Sequence, residues 1–142
     1  GLRWTTEQQW HVTLRFLGEA DVEAAAHALA SVRYPRRPVA VLGPDVGRLG
    51  RSVLHVPVAG LDDLAAAVVA ATAGVGSPPP DRPFRGHLTL GRSRKGRASP
   101  ALPAGGPVTG RWEVDEVTLV ASRLHPEGAQ YSVVRRLALP TE

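Results

Sequence analysis

Trp10-His11-Val12-Thr13-Leu14-Arg15-Phe16-Leu17 changes character at every step up to Phe16. Val12, Leu14 and Phe16 are apolar; His11, Thr13 and Arg15 between them are polar. A period of two predicts a strand over residues 10–17, with one face on a core and one face free for chemistry. The pattern returns downstream as His87-Leu88-Thr89-Leu90-Gly91-Arg92. With 5 His, 8 Thr and 16 Leu in 142 residues, a shuffled chain would hold roughly 0.03 copies of His-x-Thr-Leu. Two copies with matching flanks therefore point to two similar half-units.

The residue types suit one kind of chemistry. His and Thr two apart on a strand leave the same face, their Cα atoms about 6–7 Å apart. An imidazole moves protons near neutral pH, and a hydroxyl can hydrogen-bond an anion. Two such units facing one cleft would set an acid and a base on opposite sides of a single phosphorus. That is the geometry of in-line displacement, in which one His deprotonates water and the other protonates the departing oxygen. A lone His-x-Thr is more often an ordinary half-exposed strand; the matched pair reverses that balance.

Working outward, residues 21–32 carry apolar side chains at helical spacing behind Asp21, a natural N-cap. Residues 39–42 and 52–58 read as short strands between Gly- and Pro-bearing turns. Residues 61–73 form a second Ala/Val-rich helix, with Gly74 as its C-terminal stop. Residues 76–83, with three consecutive prolines, make a stiff extended loop. A strand starts at His87, and a loop rich in Gly, Pro and cations follows over 93–110. Strands over 112–124 and 131–139 close the chain as a hairpin, with Pro126 to Gly128 as the turn. This order of elements predicts an α+β fold with antiparallel sheets, rather than a doubly wound parallel sheet.

Length and composition set the outer bounds. One hundred and forty-two residues without an interdomain linker read as one domain over 1–142. The longest apolar run, residues 64–71, is far short of a membrane span. The first residues lack the pattern of a signal peptide, so a cytoplasmic protein away from the membrane is expected. The lack of cysteine excludes disulfides, thiolate catalysis and Cys-type metal sites. Lys and Arg number 17 against 13 Asp and Glu, for a net charge of +4. All the cations but Lys95 are arginine. The excess suits an anionic partner without establishing nucleic-acid binding.

His11 to Gly18 and Phe84 to Arg92 resemble the two signature motifs of the 2H phosphoesterases. The nearest branch is the RNA 2′,3′-cyclic phosphodiesterases, also called 2′-5′ RNA ligases. Arg3-Trp4 ahead of the first motif, and Leu119-Val120-Ala121-Ser122 with Gly128 and Tyr131 near the C-terminus, extend the likeness over nearly the whole chain. The resemblance implies two lobes related by a pseudo-twofold, with antiparallel sheets flanking a central cleft and helices outside. It implies His11 and His87 as the catalytic pair, His87 as base and His11 as acid. Thr13 and Thr89 would bind the phosphate, and Arg92 would contact it. It further implies no cofactor and no metal, a monomer, and RNA ending in a 2′,3′-cyclic phosphate or small cyclic nucleotides as partners. The product is a 2′-phosphate, and some members join RNA ends through a 2′-5′ bond. Two departures stand out. The strand and helix with which the family usually opens do not precede Arg3-Trp4. Gly86 replaces the commoner Pro before the second His, which would loosen that approach.

Several residues invite two readings. Strict alternation sets Arg92 with Leu88 and Leu90, away from His87, unless the strand bulges near Gly91. Arg15 shares the polar face of the first motif, either as a phosphate contact or as a solvated cation. Phe84, Tyr131 and Trp10 are candidate stacking partners for a base, although aromatics flanking strands more often serve the core. His27, His55 and His125 read as structural or surface residues. The basic run from Arg92 through Arg94 and Lys95 to Arg97 would guide RNA or simply be solvated. Hydrolysis of 2′-5′ oligoadenylate or of a cyclic phosphate on an ADP-ribose derivative fits the same cleft. A non-catalytic RNA-end binding module fits less well, since binding alone does not need two titratable groups.

Overall fold

A computed structural model describes residues 2–6, 9–49, 53–79, 81–93, 106–126 and 128–140. The chain runs β1 (Leu2–Trp4), α1 (Val22–Ala30), β2 (Val39–Leu42), β3 (Gly47–Leu49), β4 (Val53–Ala59), α2 (Asp62–Ala71), β5 (His87–Ser93), β6 (Gly110–Glu113), β7 (Glu116–Arg123) and β8 (Gln130–Ala138). Asp21 caps α1 as expected, accepting a hydrogen bond from the Ala24 N–H at 3.0 Å. At α2, Asp62 and Asp63 occupy the first turn, where the helix dipole favours negative charge. That helix stops before Gly74: Thr72 caps it, its Oγ1 donating to the Val68 carbonyl at 2.7 Å.

The fold is α+β and antiparallel. Six strands form one sheet in the order β1-β5-β4-β2-β6, with β3 also paired to β4, and β7 and β8 form a separate two-stranded sheet. In β4 strict alternation buries Leu54, Val56 and Val58 and leaves Val53, His55 and Pro57 on the opposite face.

Two apolar clusters hold these layers together. Leu29 and Val32 from the α1 region, Leu64 and Val68 of α2, Val117 of β7 and Leu139 form the first. Ala40, Val58 and Leu61 centre the second, against which Val12, Leu88 and Phe84 pack; Leu14 touches both. Burial of such side chains is worth about 1.5–3 kcal/mol each, so the clusters decide how the helices and sheets sit. Phe84 thus packs against the core, the commoner of the two readings its place beside a strand allowed.

Two predicted strands differ from the outcome. Over residues 10–17 only Val12 pairs, in a single antiparallel bridge to Leu88. Beyond it the chain turns toward the end of α2, where the Leu17 carbonyl accepts from the Ser77 N–H at 2.7 Å. The stretch 112–124 is two strands. Val114 bonds back to the Pro38 carbonyl and the Asp115 carbonyl accepts from Leu139, carrying the chain from the large sheet to the small one. The short β3 escaped the periodicity altogether, because Gly47-Arg48-Leu49 is too brief to show alternation.

Candidate active site

The Val12–Leu88 bridge brings the two motifs together antiparallel. Moving one residue either way along that register sets His11 opposite Thr89 and Thr13 opposite His87. Partners across an antiparallel pair leave the same face, so this register would set all four polar side chains on one side, opposite Val12 and Leu88, which pack against the second cluster. Directly opposed residues lie about 4.5–5.5 Å apart and diagonal ones about 7–8 Å, so the histidines are the diagonal pair of this square. An antiparallel bridge of this kind relates the two motifs by a local twofold between Val12 and Leu88.

Each imidazole is tied in the same manner. His11 Nδ1 lies 2.7 Å from the Gln9 carbonyl, and His87 Nδ1 lies 2.8 Å from the Arg85 carbonyl. A carbonyl only accepts, so each Nδ1 carries the proton and each Nε2 is left to exchange one with a ligand. Gln9 is itself fixed: its Oε1 accepts from the Thr6 N–H and its Nε2 donates to the Ala129 carbonyl at 2.7 Å. Tyr131, on β8, meets the His11 ring edge-on at 4.9 Å. His125 lies beyond it, in an open depression shared with Thr6, Gln9 and Gly128. Trp10, half exposed, donates through Nε1 to Thr5 Oγ1 at 3.1 Å.

A bulge decides where Arg92 points. In the β4–β5 ladder His87 pairs with Pro57 and Thr89 with His55, but Gly91 pairs with Leu54 and Arg92 with Val53. Leu90 is the extra residue, and past it the alternation is inverted. Since Val53 and His55 share a face of β4, Arg92 falls on the face of His87 and Thr89. Thr5 secures the bulge: its N–H donates to the Leu90 carbonyl, and its Oγ1 lies 2.8 Å and 2.9 Å from the Thr89 and Leu90 carbonyls.

Gly86 corrects another expectation. A Cβ there would lie 2.3 Å from the Val58 carbonyl oxygen, while the Gly86 carbonyl accepts from the Val58 N–H at 2.8 Å. Glycine here tightens the approach to the second motif by letting two backbones meet.

Arg15 leaves the site. Its guanidinium donates to Thr72 Oγ1, to the Phe16 carbonyl beside it, and to the carbonyls of Thr72, Val75 and Ser77. This is the residue's correction: those bonds spend its donors on the C-terminal end of α2, not on a phosphate. Arg94, Lys95 and Arg97 lie outside the described residues. Among the described residues no group of three or more His, Asp or Glu side chains could hold a metal ion, and no helix is long and apolar enough to cross a membrane.

His55 is the residue that sequence reasoning missed. It stands across the ladder from Thr89, and its ring meets the His87 ring edge-on at 5.8 Å. Burial, the largest influence, pushes its pKa below the usual 6.5 of an imidazole; the Gly47 backbone opposes this in part and the His87 charge adds to it. The sequence set His55 in a strand with Val53, Leu54 and Val56, where it read as structural or surface. What the sequence withheld was the identity of the neighbouring strand.

An antiparallel α+β fold that opposes two His-x-Thr units across a local twofold has the architecture of a 2H phosphoesterase. Residues 3–126 match the family model of the 2′-5′ RNA ligase superfamily, and the chain belongs to that superfamily. It is 29% identical to an RNA 2′,3′-cyclic phosphodiesterase of Aeropyrum pernix over 151 aligned positions, covering 94% of this chain and 84% of the relative. Among solved structures it is similar to TT0787 of Thermus thermophilus, with a TM-score of 0.82 and 26% identity over 100% of this chain and 84% of that one. It is also similar to E. coli LigT in its apo form, with a TM-score of 0.71 and 33% identity over 99% of this chain and 81% of that one. LigT has further been solved with 3′-AMP and with phosphate.

Proposed function

We propose that the protein hydrolyses the 2′,3′-cyclic phosphate at an RNA end to a 2′-phosphomonoester, with His87 and His11 as the proton-transfer pair. The observation that carries this reading is the opposition of the two motifs about Val12 and Leu88, with each Nδ1 tied to a carbonyl and each Nε2 left to act. Neutral His87 takes a proton from water as the water oxygen bonds to phosphorus. The bond from phosphorus to the 3′-oxygen breaks on the far side, and protonated His11 supplies the proton that the 3′-oxygen needs. Thr13 and Thr89 bind the non-bridging oxygens, and Arg92 meets the developing charge. A 5′-hydroxyl in place of water would give 2′-5′ joining by the same steps. The Aeropyrum relative's activity and the binding of 3′-AMP by LigT support a nucleotide phosphate as the substrate class.

The test is turnover on a panel: an oligonucleotide ending in a 2′,3′-cyclic phosphate, 2′,3′-cyclic AMP, and 2′-5′ oligoadenylate. The RNA end is expected to be preferred, and the product to carry its phosphate on the 2′-oxygen. His11→Ala and His87→Ala should each lose about 10²–10⁴-fold in rate while remaining folded. Preference for 2′-5′ oligoadenylate, or near wild-type turnover in either variant, would overturn the assignment.

A further inference from the structure

The two motif histidines share more than their carbonyl ties. Each meets one aromatic ring edge-on: Tyr131 for His11, at 4.9 Å and 66°, and His55 for His87, at 5.8 Å and 82°. The two clamps differ in one respect. A phenol ring gains no proton as pH falls, whereas an imidazole does.

The surroundings of His55 fit it for holding another ring. It lies in mid-β4 between Thr89 on β5 and Gly47 on β3. A Cβ at position 47 would come within 3.1 Å of His55 Cε1, so the glycine gives this ring its room. His55 Nδ1 is buried without a hydrogen-bond partner, so packing rather than a bond at that atom sets the ring's place. A buried, unpartnered nitrogen is cheaper as a lone pair than as a charged N–H, which agrees with the lowered pKa. Of the neighbouring strands, β5 turns His87 and Arg92 to this face, while β3 offers only Gly47, Arg48 being in register with Leu54.

We propose that His55 is a positioning residue for His87: its neutral ring holds the His87 imidazole at the angle that presents Nε2 to the substrate, as Tyr131 does for His11. This rests on the reading of His87 as a proton-transfer residue. A proton on His55 turns the support into repulsion, because His87 gains a charge as it takes the proton from water and Arg92 lies on the same face. Turnover therefore falls on the acid side through one more ionisation than the catalytic pair alone requires.

The experiment compares wild type, His55→Ala and His55→Phe on RNA ending in a 2′,3′-cyclic phosphate across acid to neutral pH. His55→Ala should lower kcat about 10–100-fold, with KM little changed, because the ring that aims the imidazole is gone. His55→Phe should restore most of kcat at neutral pH and abolish the additional acid-side ionisation. An unaltered kcat in His55→Ala, a His55→Phe variant no better than it, or an additional ionisation that persists in His55→Phe would each overturn the inference. A second readout needs no turnover: NMR titration of the histidine rings in wild type and His87→Gln. His55 should titrate at higher pH once the neighbouring charge is removed, and an unmoved His55 would show that the rings do not interact. A wild-type chain inactive on the RNA would sink the proposed function, while this titration would still decide the ring contact. Should His55→Ala fail to fold, His55→Phe and the titration carry the test.

Discussion

Thr13 and Thr89 sit diagonally across the site from one another, each opposite a histidine of the other motif. In the proposed site their hydroxyls would donate to a phosphoryl group held between the imidazoles. A hydrogen bond to a charged oxygen is worth about 1.5–3 kcal/mol, or roughly 10–150-fold in rate. Thr13→Ala and Thr89→Ala are therefore expected to lower kcat/KM by that much, less than loss of either histidine, with thermal melting unchanged. Steady-state kinetics on the cyclic-phosphate substrate checks this, and wild-type rates in both variants would reduce the threonines to strand residues. The two His-x-Thr motifs were legible because residue type, spacing and repetition all lie in the local sequence. Arg92 was half legible: its identity was plain, but its face depends on the bulge at Leu90, which Thr5, just past β1, secures from far along the chain. His55 was illegible as a site residue because its neighbours come from β3 and β5, which only the tertiary fold brings together.

The elements around the site are coupled by single side chains, and Arg15 is the clearest case. Thr72 is buried and donates to the Val68 carbonyl, while its Oγ1 accepts from Arg15 Nε at 3.2 Å. The same guanidinium collects the carbonyls of Val75 and Ser77, at the negative end of the α2 dipole. Arg15→Met keeps much of the aliphatic stem and removes the donors. It should destabilise the protein by about 1.5–3 kcal/mol, the cost of losing hydrogen bonds to a charged group. Where the variant is folded, kcat/KM should stay within a few-fold of wild type. Denaturant unfolding paired with kinetics separates the cases, since a full loss of activity in folded protein would return Arg15 to the phosphate site. Alternation alone set Arg15 beside His11 and Thr13. It fails there because pairing in this segment is confined to Val12 and the backbone bends at Leu14, before Arg15 is reached.

At the scale of the molecule, the site exists only when both halves of the chain are folded against each other. His11 reaches it from a segment joined to the sheet by one bridge, and His87 from a central strand of that sheet. Neither half supplies both an acid and a base. Under the proposed mechanism, of the four protonation states open to two imidazoles, only the one with His87 neutral and His11 charged carries the reaction. The two ionisations that bound this state belong to the pair rather than to either ring. kcat/KM against pH should therefore be bell-shaped, with the acid limb steepened by His55. In the proposed mechanism the histidines work as a unit, so the double variant His11→Ala/His87→Ala should be little worse than the poorer single one. Proton transfer between two rings and water also needs no Lewis acid, and the bell should be superimposable in excess EDTA. The decisive measurement is a set of pH–rate profiles on RNA ending in a 2′,3′-cyclic phosphate, for wild type with and without EDTA and for the single and double variants. Activity lost on chelation and restored by an added divalent ion would overturn the two-histidine mechanism. So would single-variant losses that simply add in the double variant, since independent residues, not a coupled acid and base, would produce them.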